Sequence, residues 1–326
     1  MSAGGSLRDT TLKRRVLVSA PYFQPVVDRF REVFAEADIE LVVPPVQERL
    51  SEQELLKLVC DVDGAICGDD QFTERVLEAA PRLKVISKWG TGVDSIDRQA
   101  AARLGIAVCN TPNAFTEPVA DTVLGYILCF ARRLPWMNHD MRRNLWVKRL
   151  SVSLRECTLG IIGVGNIGKA VARRAAVFGM RLLGNDIVTI CPEWLAEVGM
   201  HAVSKEELLR RADFVSLNCD LNPTSYHLIS RPELGLMKPT ACLINTARGP
   251  IIDEPALVLA LQQKQIAGAA LDVFEREPLP AGSPLRAMEN VLLAPHNANS
   301  SPVAWEQVHQ NTVRQLLEHL SVPVCK

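Results

Sequence analysis

The chain has 326 residues, of which 48% are hydrophobic and 22% charged, with a formal net charge of −1, the balance of a globular protein long enough for two ordinary domains. Acids and bases are interspersed, which excludes a basic field for nucleic acid and a polybasic run for a membrane surface. No apolar run reaches the roughly 18 residues that a membrane span needs.

Residues 1–13 read as a loose polar leader in which no signal peptide is visible. Short apolar runs come next at 16–20, 40–43, 64–67, 85–88 and 107–110, separated by stretches of helical periodicity such as Val26, Phe30, Val33 and Phe34. Strand and helix in this rhythm predict a parallel sheet covered on both faces. Asn110-Thr111-Pro112-Asn113 breaks the series, and one long apolar helix is predicted from 118 to about 134. The charged stretch after it runs to Arg155, and its bases Arg132, Arg133, Arg142, Arg143, Lys148 and Arg149 read as a solvated face.

The alternation restarts with strands at 159–164, 181–185, 214–218, 241–245, 269–273 and 291–294, the larger of the two series. The tail, 302–320, places Val303, Trp305, Val308, Val313, Leu316, Leu317 and Leu320 on one stripe of an amphipathic helix. Pattern alone leaves it free to cover either sheet. Nine cysteines include no CxxC pair, and most sit in apolar strand-like runs, predicting a reduced, cytoplasmic protein. Six histidines show neither HxxxH nor HExxH spacing, which speaks against a metal site.

The second series opens on a strand-like run that leads into Gly163-Val164-Gly165-Asn166-Ile167-Gly168 and then a helical pattern. Gly163 permits the tight turn, Gly165 lets backbone approach a pyrophosphate, and Gly168 lets helix pack on strand. The helix N-terminus offers free N–H groups to the phosphates. A bare GxGxxG is a weak signal, but here the strand before and the helix and strand after are all in place. Asp186 ends that next strand about 20 residues on, where a carboxylate bonds the ribose hydroxyls of NAD and repels a 2′-phosphate. No base follows it closely, so NAD is favoured over NADP.

Three segments follow strands of the second series, at the carboxyl ends where open α/β sheets bind ligands. The first is Asn245-Thr246-Ala247-Arg248-Gly249-Pro250, in which the guanidinium fork suits a carboxylate, or else pairs with an acid such as Asp253. The second, Leu271 through Asp272, Phe274, Glu275 and Glu277 to Pro278, crowds three acids, of which Glu275 reads as a solvated loop charge. The third is Pro295-His296-Asn297-Ala298-Asn299. An Arg, an acid and a His at neighbouring strand ends make a structural explanation of each one separately much weaker.

With Lys88-Trp89-Gly90-Thr91-Gly92-Val93-Asp94 and Asn110-Thr111-Pro112 added, the chain resembles the D-2-hydroxyacid dehydrogenases from about residue 15 to 320. The branch it is most similar to holds phosphoglycerate dehydrogenase and glyoxylate/hydroxypyruvate reductase. The resemblance implies an α/β protein of two Rossmann-like doubly wound parallel-sheet domains with a cleft between them. The substrate-binding domain would take residues 1–112 and 298–326, discontinuous because the tail returns to it, and the NAD-binding domain 113–297. It further implies that Arg248 binds the substrate carboxylate and carbonyl, that His296 donates or accepts the proton, and that Glu277 pairs with His296. Asp272 would face the nicotinamide carboxamide. Asn166 and Ile167 would lie over the pyrophosphate, Thr246, Ala247 and Arg248 along the nicotinamide, and backbone N–H groups at Thr91 and Gly92 on the carboxylate. A homodimer is implied by family alone.

Physically, the arriving hydride puts negative charge on the carbonyl oxygen, where His296 can donate a proton and Arg248 stabilise the charge. A carboxylate about 4 Å from the imidazole favours its charged form by up to roughly 4 kcal/mol at an effective dielectric near 20.

Three stretches depart from the family. Asn297-Ala298-Asn299-Ser300-Ser301 replaces the usual Ile and small residues, putting amides beside the substrate. Cys67-Gly68-Asp69-Asp70 stands where phosphoglycerate enzymes carry an Arg, so two acids are expected to repel a phosphate unless Arg132, Lys148 or Arg149 compensates. Asn218-Cys219-Asp220 replaces a His and a Pro near the adenine. The expectation is an NAD-dependent dehydrogenase of a small 2-hydroxy acid such as the glyoxylate or hydroxypyruvate pair, without a regulatory module. The alternatives are D-3-phosphoglycerate dehydrogenase and, from another class, an NAD-sensing corepressor-like binding protein.

Overall fold

The structure, a computed structural model, describes residues 13–320. The leader expected at 1–13 falls outside them except for Lys13, as does Cys325. Two compact units divide the chain: the described parts of Met1–Pro112 and Trp305–Lys326 form one, and Asn113–Ala304 the other.

The first unit is built on five parallel strands, β1 (Arg14–Val18), β2 (Ile39–Val42), β3 (Gly64–Cys67), β4 (Val85–Lys88) and β5 (Ala107–Cys109), in the order β2-β1-β3-β4-β5. β3 and β4 are buried along their whole length, which is why they read as continuous apolar runs rather than as alternation. Within the second unit α1 (Thr116–Arg132) takes the place of the expected long helix, and α2 (Leu134–Arg142) is a second helix in the charged stretch after it. The break is Arg133, whose φ of 56° takes the left-handed conformation.

The second sheet comprises β6 (Thr158–Ile162), β7 (Arg181–Asn185), β8 (Met200–Ala202), β9 (Phe214–Leu217), β10 (Cys242–Asn245), β11 (Gly268–Leu271) and β12 (Val291–Leu293). Its order is β12-β11-β10-β9-β6-β7-β8, all parallel. Leu159 and Ile161 of β6 face a core with Val123, Ile127, Val171 and Ala175. Ile162 faces the opposite core with Leu208, Val215, Leu243 and Leu257. Both faces are therefore covered, and the order reverses between β6 and β9, the switch point at which such sheets bind ligands. α3 (Asn166–Val177) follows β6. β8 was not foreseen: it is a three-residue edge strand with two exposed positions.

The tail forms α4 (Pro302–His319). A Cβ added at Gly64 would lie 2.9 Å from the Leu316 side chain, and Ser87 Oγ donates to the Thr312 carbonyl at 2.9 Å. The apolar stripe of α4 thus lies against β3 and β4 of the first unit, at a glycine that leaves room for Leu316. Among the described residues no helix is long and apolar enough to cross a membrane.

Candidate active site

The glycine loop connects β6 to α3 at the switch point. Its three glycines answer to different constraints. Gly163 has φ 87°, and a Cβ there would meet the Cys219 nitrogen at 2.6 Å; a Cβ on Gly168 would meet the Gly163 carbonyl oxygen at 2.1 Å. The chain itself demands those two. A Cβ on Gly165 would meet nothing within 4 Å, so open space stands before that residue. It adjoins the start of α3, where no side chain caps the helix and the first N–H groups face outward. Open space, bare amides and the positive end of a helix fit a dinucleotide pyrophosphate. Asn166 opens α3 with its amide on the Asn113 side chain, and Ile167 is half-buried on the core below.

Asp186 follows β7 and reaches back to this loop. Its Oδ2 accepts from the Val164 N–H at 2.6 Å and its Oδ1 from the Val188 N–H at 3.0 Å. Exposed Ile187 and Val188 flank it, with no cation beside them in the sequence.

Arg248, Asp272 and His296 follow β10, β11 and β12, three adjacent strands. Thr246 is buried after β10. The turn there is braced by Asn245, which accepts from the Ala247 N–H at 3.0 Å and donates to the Arg248 carbonyl at 2.9 Å. Gly249 is essential to it: a Cβ would fall 1.9 Å from the Phe274 backbone, so the Arg248 turn and the loop leading to Glu277 touch backbone to backbone.

Asp272 is 1% exposed. Its carbonyl accepts from the His296 N–H at 2.7 Å, Oδ1 from Asn297 N–H at 2.9 Å and Oδ2 from Ala298 N–H at 2.8 Å. Three consecutive amides converge because His296 has φ 50°, the kind of concavity that suits an anion. Burial pushes the Asp272 carboxyl up, the bonds from Ala298 and Asn297 and the charge of His296 oppose this, and Glu277 adds to it. The carboxylate assigned from the family to the nicotinamide thus also fixes the backbone that carries His296.

His296 Nδ1 lies 3.0 Å from Glu277 Oε2, with the two side chains only 20% and 15% exposed. Glu277 Oε1 accepts from the Phe274 N–H at 2.9 Å, which locks the carboxylate.

Two sequence expectations need correction. Glu275 is not a freely solvated charge: it lies 2.8 Å from His227 Nε2 and accepts from the Glu254 N–H at 3.2 Å. Nor do Asp69 and Asp70 present a pair of open acids. Asp70 is fully buried and accepts from Ser19 Oγ at 2.7 Å and from the N–H groups of Leu50 and Gly68 at 2.5 and 3.0 Å. Asp69 pairs at 3.0 Å with Lys88, whose side chain is 5% exposed. Arg149 is itself held by Asp140, at 2.6 and 3.0 Å. In the first unit, Thr91 and Gly92 follow β4 in a turn whose Gly90 has φ 126°. The turn is tied to Thr111, whose N–H donates to the Gly90 carbonyl at 2.8 Å and whose carbonyl accepts from Thr91 Oγ1 at 3.2 Å. His227 and Asn113 are site neighbours that no motif signalled.

The model of the D-isomer specific 2-hydroxyacid dehydrogenase, NAD binding domain, matches residues 124–298. A glyoxylate reductase of Korarchaeum cryptofilum is 39% identical over 298 residues, 89% of this chain and 88% of that protein. The chain belongs to the D-isomer specific 2-hydroxyacid dehydrogenase family. A family relative named D-3-phosphoglycerate dehydrogenase, from Methanocaldococcus jannaschii, is 38% identical over 295 residues, 89% of this chain but only 54% of that longer protein. The crystal structure of the Aquifex aeolicus D-lactate dehydrogenase complexed with NAD and lactic acid superposes with a TM-score of 0.81 at 28% identity, covering 94% of this chain and 98% of that one. As a member of the family, the protein is an NAD-dependent oxidoreductase acting on the CH–OH group of a 2-hydroxy acid.

Proposed function

We propose that the protein reduces a small unphosphorylated 2-keto acid, glyoxylate or hydroxypyruvate, with His296 and Glu277 as its proton device. The observation that carries this is the 3.0 Å pair between His296 Nδ1 and Glu277 Oε2. Protonated His296 gives its Nε2 proton to the substrate carbonyl oxygen and keeps its Nδ1 proton, which it donates in a hydrogen bond to Glu277 Oε2; water then reprotonates Nε2. Arg248 binds the carboxylate and stabilises charge on the carbonyl oxygen. Thr91 and Gly92 donate backbone N–H groups to the carboxylate, and Asp272 holds the turn that aims His296. The glycine loop and Asp186 hold NADH, with Thr246 and Ala247 along its nicotinamide. When bound, NADH supplies the hydride that adds to C2. In the oxidation direction neutral His296 accepts the hydroxyl proton at Nε2.

The absence of phosphate from the substrate is supported by the loop after β3. Lys88 is the cation there, and Asp69 already neutralises it. A phosphate dianion without a cation of its own is costly to bury. Phosphoglycerate dehydrogenase is the second reading, favoured by the name of the Methanocaldococcus relative. The deciding measurement is kcat/KM for hydroxypyruvate against 3-phosphohydroxypyruvate, with glyoxylate and pyruvate alongside. A tenfold advantage for the phosphorylated compound, about 1.4 kcal/mol in transition-state binding, refutes the proposal. We also infer a cytoplasmic homodimer. Trp146 and Leu150, 83% and 93% exposed after α2, are the kind of open apolar side chains that a partner subunit covers.

A further inference from the structure

The first unit buries a histidine that the reaction does not use. His309 of α4 is 4% exposed, and its Nδ1 lies 2.9 Å from Trp89 Nε1. An indole N–H only donates, so Nδ1 must be bare and the ring neutral, with its proton on Nε2. Trp89 is 3% exposed and ringed by Tyr22 and Trp305, with centroids at 5.3 and 5.6 Å. It leads directly into Gly90, Thr91 and Gly92. The same helix secures the other side of that turn. Asn311 Nδ2 donates to Thr111 Oγ1 at 2.8 Å and Gln315 Nε2 to the Asn110 carbonyl at 2.9 Å. Thr111 is bonded to both Gly90 and Thr91.

We propose that His309 is a positioning residue: neutral, it anchors Trp89 and holds the turn at 90–92 in the shape that binds the substrate carboxylate, and protonated, it lets that turn relax. This rests on the assignment of Thr91 and Gly92 as carboxylate donors. The charged groups acting on His309 are Glu306 on its own helix and Arg29 from the segment Gln24–Phe30, which pair with each other at 2.8 Å. Burial holds His309 below the ordinary histidine value, Glu306 opposes this, and Arg29 reinforces it. A folded value below the unfolded one means that the anchor is intact above about pH 6.5 and is lost as pH falls through the lowered value.

The test uses the full-length ¹⁵N-labelled protein saturated with NADH. The Trp89 Nε1–H resonance, identified by its loss in Trp89→Phe, is followed with pH alongside KM and kcat for hydroxypyruvate. In the unmodified protein the resonance should titrate reversibly on the acid side. KM should rise there roughly threefold to tenfold, the worth of one neutral hydrogen bond, with kcat little changed. His309→Gln offers an amide oxygen at every pH, so it should keep KM low and flatten its acid-side rise. His309→Phe should raise KM at all pH, and if it does not fold, the Gln variant carries the test alone. A merely structural histidine would change melting temperature without this KM-against-kcat split. An acid-side rise that persists unchanged in His309→Gln overturns the proposal. Oxamate added to the same NADH-loaded protein probes the assignment beneath it. If the Thr91 and Gly92 amide resonances do not move, that assignment fails and takes the proposal with it. If they move while the His309 variants behave as the unmodified protein, the proposal alone is refuted.

Discussion

Replacing Glu277 by Gln removes a charge while preserving shape, and the local geometry determines its effect on catalysis. The carboxylate accepts twice, from Phe274 N–H through Oε1 and from His296 Nδ1 through Oε2. A carboxamide has one accepting oxygen. If that oxygen stays with the Phe274 N–H, the NH2 group faces Nδ1 and demands a bare nitrogen there, which places the imidazole proton on Nε2. A charge-assisted bond of this kind contributes roughly 1.5–3 kcal/mol. The pair is mostly shielded from water, so little of that is lost to screening. At 1.36 kcal/mol per pH unit, the high-pH limb of reduction should move down by about one to two units. Oxidation should suffer more, because the neutral ring then holds its proton on the nitrogen that must act as base. A loss of about 10²-fold or greater is expected at every pH. Both directions are monitored by NADH absorbance, glyoxylate reduction and oxidation of the matching D-2-hydroxy acid, from pH 6 to 10. A limb that moves by less than about 0.3 units, with oxidation intact, refutes the pairing.

Gly165→Ala should leave the melting temperature unchanged yet weaken NADH binding about tenfold or more, because its Cβ enters open space that the pyrophosphate would fill. Gly168→Ala should instead cost about 1–3 kcal/mol of stability through overpacking against the Gly163 carbonyl. Calorimetry and cofactor titration on both variants separate the two roles, and similar behaviour of the pair would refute the distinction. Trp146→Glu should turn the homodimer proposed above into a monomer in sedimentation experiments with little change in fold; a monomeric unmodified protein, or a mass unaltered by the substitution, would refute that proposal.

The strands were legible because parallel strands buried on both faces are short apolar runs, and their ends differ from expectation by only a residue or two. β8 was not, since a three-residue edge strand with two exposed positions carries no such signature. The end of α1 was legible, but α2, in the stretch read as charged and solvated, was not; Arg133 separates the two in a left-handed conformation. At the site, residue types and strand ends could be read, but pairings could not. The sign of Asp69 was legible while its neutraliser, Lys88, sits on a neighbouring strand. Asp272 could be placed near His296, but its bonds to the following amides depend on the unusual φ of His296. Helical periodicity specified α4 as amphipathic and left its destination open. What decides it is the missing Cβ of Gly64, an absence that becomes a receptor only when Leu316 is beside it.

That destination has a consequence for how the protein is made. Val308, Val313, Leu316 and Leu317 are nearly fully buried, and Leu316 lies beside Gly64 of β3, a strand synthesised long before α4. The first sheet to leave the ribosome therefore waits, one apolar face open to water, while the whole of the second unit is translated. The second unit is continuous and has all its strands in hand before α4 emerges, so vectorial synthesis favours its maturation first. The nascent protein thus passes through a stage with a finished cofactor fold and an unsealed substrate fold. During that stage β3 and β4 lack the apolar cover that α4 later supplies.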